Sequence, residues 1–488
     1  MRDVAVLGST EATVGHGALL ALLGLDADPG SAAVIADGVT TTRGRLAALS
    51  EELAAEIAER VQPGHRVGLV DGGAVRDVAL VLGALRAGRP VAMLPVHGPD
   101  DPALDELAGE ARCDLVALGG NLRATGAGPA DPDDPYDARV GTSLGGSAEA
   151  VLLYTSGTTS RPRGVRLSAA NVASNLTAML RSTEPWTPAD RLGQVLSLTH
   201  SFGLSMVLLA LARRVPVVLT PCGPPTRTLM ATLDEHEVTL LACVPYFLRL
   251  SRRRGLVLGR DGARRLRILY LAGGGIHDDE LDEVLPGYPG ATYLMYGFTE
   301  GTARVAVRRR GDGAPADSVG LPLPGTHVDV VDELGAPLPL GEVGRIRVSS
   351  PGLMIGYLGQ PPRDPAAPHT TTDLGRLGPA GDLFVTGREA EMHNFRGNRV
   401  SLVAVEARVA EVPGVLEARV QPDTAEEDSA CVLRLVLAPG ADAGPARRLA
   451  LAAVEPRGLV RDVQVVDHLE TTRSGKAVRR PAWPAATS

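Results

Sequence analysis

Residues 152–168, LLYTSGTTSRPRGVRLS, carry the first sign of chemistry in this sequence. An apolar strand pattern breaks abruptly into five hydroxyl residues, Thr155, Ser156, Thr158, Thr159 and Ser160. They surround Gly157 and are followed by Pro162, Arg163 and Gly164. Hydroxyls, free backbone N–H groups and one cation on a turn-rich loop suit a triphosphate. A Walker loop is excluded, because GxxxxGK[ST] is absent. A Ser/Thr-rich linker would share the composition but not the sharp strand-to-loop boundary. A second signal lies at the far end, where TTRSGKAVRR contains Lys476, the only lysine among 49 lysine and arginine residues. The excess of Ala, Gly, Arg and Pro has the character of a coding bias, which accounts for arginine elsewhere and makes the one lysine informative.

Between these ends lie further short blocks: THSFGL (199–204), CVPYF (243–247), LAGGGIHDDEL (271–281) and YLMYGFTEG (293–301). SVGLPLPG (318–325), GEVGRIRVSSPGLMIGY (341–357), TTDLG (371–375) and GREAEMHNFRGNRV (387–400) follow. Taken singly, Asp373 reads as a turn residue, Arg388 as a surface charge and His200 as a packed histidine. Taken in order, the blocks resemble the adenylate-forming superfamily, which includes acyl- and aryl-CoA synthetases, nonribosomal peptide adenylation domains and firefly luciferase. The resemblance covers nearly the whole chain and is closest to a standalone acyl- or aryl-acid ligase.

That resemblance implies a reaction in which a carboxylic acid is joined to the α-phosphorus of ATP and pyrophosphate leaves. Both partners are anions, so cations placed where charge gathers are the main catalytic device. ATP and Mg²⁺ are the implied cofactors. The implied catalytic residues are Lys476, Thr299, Glu300 and His200, with Glu300 on the metal, Thr299 at the α-phosphate and His200 at the acid-pocket gate. Thr155, Ser156, Gly157, Thr158, Thr159 and Arg163 would hold the phosphates. Gly273, Gly274, Gly275 and the ring of Tyr296 would flank adenine, and Asp373 would take the ribose with Arg388 close by. Lys476 would bridge substrate carboxylate and α-phosphate. There a compact ammonium fits between converging oxygens better than a planar guanidinium does.

Some positions depart from the family pattern. Arg163 stands where lysine is usual, and Ser160 where glycine is usual. The hinge position, two residues after Arg388, is Ala390 instead of Asp or Lys. Gly397, which would let a pantetheine thiol approach, is retained. Adenylation is therefore better supported than thioester formation. The segment LTHSFGLSMV (198–207) lacks the aspartate of amino-acid-activating relatives. The expected acid pocket, Phe202, Tyr246, Met295, Gly297 and Phe298 with Met206 nearby, is mostly apolar and favours an aryl or aliphatic carboxylate. The sequence has no carrier segment after Lys476, so the expected acceptor is coenzyme A or a separate phosphopantetheine carrier protein. Two alternatives stay open: an amine acceptor, giving an amide, and a non-catalytic acyl- or nucleotide-binding relative.

The elements that must position these residues read as α/β. At 488 residues, 44% hydrophobic and 22% charged, the chain is globular and too long for one core. The expected architecture is a large N-terminal domain of layered sheets with helices plus a β-rich subdomain. A small α+β C-terminal domain is joined to it by a hinge, with bounds 1–389 and 390–488. Thr42 is placed to cap a helix carrying Leu46, Leu49, Leu53 and Ile57 on one face. Strands are expected at HRVGLV, PVAMLP, GQVLSL, VPVVLT, VTLLACVP and LRILYLAG, helices at VRDVALVLGALRAG and near 204–213, and a long surface loop over 121–148. The net charge of −8, with arginine clusters at 252–254 and 308–310 expected to be solvated faces, argues against a nucleic-acid partner. Cys113, Cys222, Cys243 and Cys431 lack metal spacing, and no signal peptide or membrane span is expected, which together suggest a cytoplasmic protein.

Overall fold

The computed structural model describes residues 15–96, 98–126, 149–155, 162–396, 398–423, 430–438 and 440–469. Helix Arg43–Arg60 starts where Thr42 Oγ1 accepts a hydrogen bond from the backbone N–H of Arg45 at 3.2 Å. It buries Leu46, Leu53 and Ile57, as the one-sided spacing predicts. Helix Ser201–Ala212 is apolar all round, with Gly203 to Leu211 buried, so it belongs between layers.

Two large sheets make the main body. One has nine strands and runs, in spatial order, Leu321–Pro322, Ala306–Arg309, Ala291–Tyr296, Ile268–Leu271, Leu240–Cys243, Leu192–Gln194, Val217–Leu219, Ala32–Ala36 and Val39–Thr42. The other has seven: Gly356–Tyr357, Gly164–Ser168, Glu149–Tyr154, Val91–Met93, Arg66–Leu69, Cys113–Leu118 and Asn121–Ala124. The middle strands of both are parallel and their edges antiparallel, the pattern of sheets covered on both faces by helices. One core joins them, packing Val67, Met93 and Val151 with Leu192, Val217, Leu240 and Ile268 around helices Val75–Arg86, Ala169–Ser182 and Ser201–Ala212.

An antiparallel four-stranded sheet follows: His327–Val331, Gly344–Ser349, His369–Leu377 and Leu383–Arg388. The last part is a small α+β unit. Strands Val415–Pro422, Cys431–Leu437 and Val460–Val465 and helices Leu402–Ala410 and Ala443–Ala452 enclose a separate core that includes Val405, Val409, Leu433, Leu435 and Ala450. The α/β class and the large-plus-small organisation agree with the sequence reading.

Local expectations needed correction at four places. Residues 121–124, read as the start of a loop, form an edge strand antiparallel to Cys113–Leu118; residues 127–148 lie outside the described residues. The strand in GQVLSL is Leu192–Gln194, set slightly earlier, and the helix near 204–213 begins at Ser201. Arg308 is no solvated residue. It is 2% exposed and forks onto Asp278 at 2.7 and 3.0 Å.

Candidate functional site

The hydroxyl-rich loop joins the antiparallel strands Glu149–Tyr154 and Gly164–Ser168. Its described ends are tied together: Thr155 N–H donates to the Arg163 carbonyl at 2.9 Å, and Arg163 N–H lies 3.4 Å from Thr155 Oγ1. Ser156, Gly157, Thr158 and Thr159 lie outside the described residues, as do Lys476 and Gly397. The Arg163 guanidinium stacks over the Tyr357 ring, 3.5 Å from its centroid. Tyr357 in turn donates its hydroxyl to Glu300 Oε1 at 2.8 Å.

Glu300 sits in the short 3₁₀ turn Thr299–Gly301 that ends strand Ala291–Tyr296. The chain folds sharply back here, and Val305 N–H returns to the Tyr296 carbonyl at 2.8 Å. Gly297 makes this possible, because a Cβ there would lie 1.7 Å from the Ala303 carbonyl oxygen. Glu300 and Thr299 are thereby held beside the loop ends. Phe298 stacks on His369 at 5.5 Å between ring centroids. Burial lowers the pKa of His369, with Glu300 opposing that shift. The Phe298 ring also packs on Tyr296, 6.0 Å between centroids, so it lies between His369 and Tyr296.

Across the same turn lies a second network. Asp373 is 5% exposed. It accepts the Tyr296 hydroxyl at 2.8 Å and Arg388 Nε at 2.7 Å. Asp373 and Arg388 are fifteen residues apart but stand opposite one another in the four-stranded sheet. Burial, and then Asp373, holds the Tyr296 phenol well above its ordinary pKa, so it is a hydrogen-bond donor at every physiological pH. Burial disfavours charge on Arg388, yet Asp373 and Glu391 raise its pKa.

The segment before helix Ser201–Ala212 is anchored by Asp71. Buried Asp71 accepts Ser197 Oγ at 2.6 Å and Leu198 N–H at 2.8 Å. His200 then precedes helix Ser201–Ala212 as its N-cap residue. A Cβ at Gly203 would lie 2.2 Å from the Ser197 carbonyl oxygen, so glycine is what lets the helix start close to this turn.

Of the other expected pocket residues, Met295 and Met206 are buried, and half-buried Phe202 lies against Arg304. Tyr246 is turned toward the small unit, donating its hydroxyl to Glu417 at 3.3 Å. In the Gly273–Gly275 segment, Gly273 takes a left-handed φ of 81° and the Gly275 carbonyl accepts Arg249 at 2.8 Å. The hinge candidate Ala390 lies in the 3₁₀ turn Glu389–Glu391 directly after Arg388, and Arg345 holds Glu389 at 2.8 Å. Sequence reasoning missed Asp71, His369, Arg304 and the role of Tyr357, whose partners are remote in sequence.

No cluster of three or more His, Cys, Asp or Glu side chains suited to a metal occurs among the described residues. The site fits Mg²⁺ nonetheless. This ion keeps waters and needs only one or two carboxylates when substrate phosphates supply other ligands, and Glu300 is a carboxylate beside the ends of the hydroxyl-rich loop.

The family model described as "AMP-binding enzyme" matches residues 110–358. AMB antimetabolite synthetase AmbB of Pseudomonas aeruginosa is 31% identical over 417 residues, covering 78% of this chain and 31% of that protein. The 4-coumarate–CoA ligase-like protein 9 of Oryza sativa subsp. japonica is 28% identical over 369 residues, 71% of this chain and 64% of the other. The chain thus spans less than two thirds of these relatives' length. Among solved structures, o-succinylbenzoate coenzyme A synthetase of Bacillus subtilis, in complex with ATP and magnesium ion, superposes with a TM-score of 0.75 at 20% identity, covering 94% of this chain and 98% of the other. No helix among the described residues is long and apolar enough to cross a membrane.

Proposed function

The chain belongs to the AMP-binding enzyme family, within the adenylate-forming superfamily, and from that premise we propose that it is an ATP-dependent carboxylic acid ligase. It forms an acyl-AMP with release of pyrophosphate, then passes the acyl or aryl group to a pantetheine thiol of coenzyme A or a carrier protein. The observation that carries this reading is the two-sided turn at Gly297. One side presents Tyr296, Asp373 and Arg388, suited to the hydroxyl-rich nucleoside. The other presents Glu300, Tyr357 and Arg163, suited to the charged phosphates.

In this assignment Asp373 accepts the ribose hydroxyls while Arg388 and Tyr296 fix its carboxylate. Bound Mg²⁺ supplies charge neutralisation at the phosphate oxygens, with Glu300 as its protein ligand and Tyr357 orienting that carboxylate. Arg163 and the hydroxyl loop hold the phosphates, His200 lines the acid entrance, and Lys476 bridges the two reacting oxyanions. The small unit, with its boundary at Ala390, carries Lys476 to the site. The likeness to a relative named as 4-coumarate–CoA ligase-like supports the thiol acceptor.

Incubation with ATP, Mg²⁺, an acid panel and hydroxylamine tests the assignment, and hydroxamate is the expected product. Lys476→Ala is expected to slow its formation roughly 10²–10³-fold. A variant with near wild-type pyrophosphate release removes Lys476 from the mechanism. Addition of coenzyme A, carrier protein or an amine then identifies the acceptor.

A further inference from the structure

Among the described residues, five arginines are exposed by 2% or less: Arg43, Arg66, Arg166, Arg304 and Arg308. Four have partners. Arg43 donates to the carbonyls of Leu23, Gly24 and Leu211 at 2.8, 2.6 and 3.2 Å. Arg66 and Arg166 share Glu149, and Arg308 has Asp278 and the Ala316 carbonyl.

Arg304 differs. It is 1% exposed, and its Nε and both terminal nitrogens have no hydrogen-bond partner among the described residues. The Phe202 ring centroid lies 5.6 Å from its Cζ. Tyr270 is also near, but its hydroxyl already accepts the Trp186 indole N–H at 2.8 Å. Burial lowers the Arg304 pKa to about 10, which leaves it cationic at neutral pH.

Its position is well defined. The Arg304 carbonyl accepts Asn175 Nδ2 at 2.7 Å, and the preceding carbonyl, of Ala303, lies against Gly297. The guanidinium therefore belongs to the segment that returns four residues after Glu300 and meets Phe202 just beyond the His200 gate. That is where the body of the acid is expected, away from its reacting carboxylate.

We propose that Arg304 is a specificity-determining residue that receives a second carboxylate at the far end of the acid substrate, an inference that rests on the ligase reading above. A buried charge with no partner destabilises the unliganded protein, and one ring face offsets only part of that cost. A guanidinium fork takes a carboxylate through two parallel hydrogen bonds. Had Arg304 served only as packing, the chain's other buried arginines show how it would be satisfied: by a carboxylate or by backbone carbonyls. The substrate class is thus narrowed to acids with an apolar aryl or aliphatic body and an anionic terminus.

The test uses matched acids: benzoate against benzene-1,3- and 1,4-dicarboxylate, and butyrate and hexanoate against glutarate and adipate. Each is assayed for hydroxamate with ATP and Mg²⁺, using the full chain and its Arg304→Met and Arg304→Lys variants. The dicarboxylate of at least one pair is expected to be favoured about 10²-fold in kcat/KM. Arg304→Met should lose that preference and Arg304→Lys keep part of it, which also covers a Met variant that fails to fold. Without ATP, the favoured dicarboxylate should raise the melting temperature of wild type but not of Arg304→Met. A preference for monoacids throughout, a preference unchanged by both variants, or no dicarboxylate-specific rise in melting temperature overturns the proposal. Hydroxamate from no acid condemns the ligase reading instead, and the melting arm still decides Arg304.

Discussion

Two places in this protein remove guanidinium groups from water almost completely, and they do it in opposite ways. Behind the hydroxyl-rich loop, Glu149 accepts Arg66 Nε at 2.6 Å and a terminal nitrogen of Arg66 at 3.0 Å, and Arg166 Nε at 2.7 Å. All three residues are at most 1% exposed. Beside His200 and Phe202, Arg304 is as deeply buried but has no hydrogen-bond partner among the described residues, only the Phe202 ring and the neighbouring Tyr270. Desolvating such a cation costs several kcal/mol, whereas a ring face returns about 0.5–2 kcal/mol. The first arrangement is architecture: it fastens strands Arg66–Leu69, Glu149–Tyr154 and Gly164–Ser168 around the root of the loop. The second, on the proposal above, is completed by a carboxylate of the substrate.

The largest expected effect turns the first region into a copy of the second. Glu149→Ala strands two buried cations and should lower the unfolding free energy by about 3–5 kcal/mol, measured by urea titration. A loss below about 1 kcal/mol would mean that the carboxylate is not what fastens those strands. A smaller effect is expected at Asp373, the buried carboxylate proposed to take the ribose. Asp373→Asn takes the anion from Arg388 and should weaken ATP use by about 10–100-fold in kcat/KM, read by ATP–pyrophosphate exchange; unchanged exchange would separate this network from the nucleotide. Arg304→Met runs the comparison the other way, since it deletes an unpartnered charge and keeps much of the volume. The unliganded variant should gain about 1–2 kcal/mol, and a loss in a calorimetric scan would reveal a partner that the geometry does not contain.

The smallest effect is in acid. Burial pushes the Glu149 carboxyl up, but Arg66 and Arg166 overcome this and hold its pKa below the usual carboxylate value. The folded state therefore binds this proton less readily than the unfolded chain. Its contribution is present above the unfolded value of about 4.3 and is lost as pH falls through the folded one. Glu149→Gln should flatten stability against pH below about pH 4.3, while Arg304→Met, with no carboxylate involved, should leave the curve's shape unchanged.

The same contrast explains what was legible in the sequence. Thr42 and the Leu46–Leu53–Ile57 spacing announce helix Arg43–Arg60 because caps and periodicity are local. Asp373 and Arg388 could be singled out by motif, and an antiparallel pairing places them side by side. Tyr357 on Glu300 and Asp71 on Ser197 could not be read, because those contacts span 57 and 126 residues and depend on how sheets meet. Arg304 and Arg308 were hidden for another reason. In a chain that writes arginine almost everywhere, residue type carries little signal, and only burial distinguishes a surface charge from a receptor. The edge strand Asn121–Ala124 was lost in a Gly/Pro-rich loop signal, being only four residues long and largely exposed.

One modest contact has a mechanical consequence. The phenol of Tyr246 reaches Glu417 at 3.3 Å, and Arg253 comes no nearer that carboxylate than 4.0 Å. A single bond of this type is worth about 1 kcal/mol, so cutting it weakens that edge contact only about fivefold. At that edge the small unit rests on a latch that thermal motion can open.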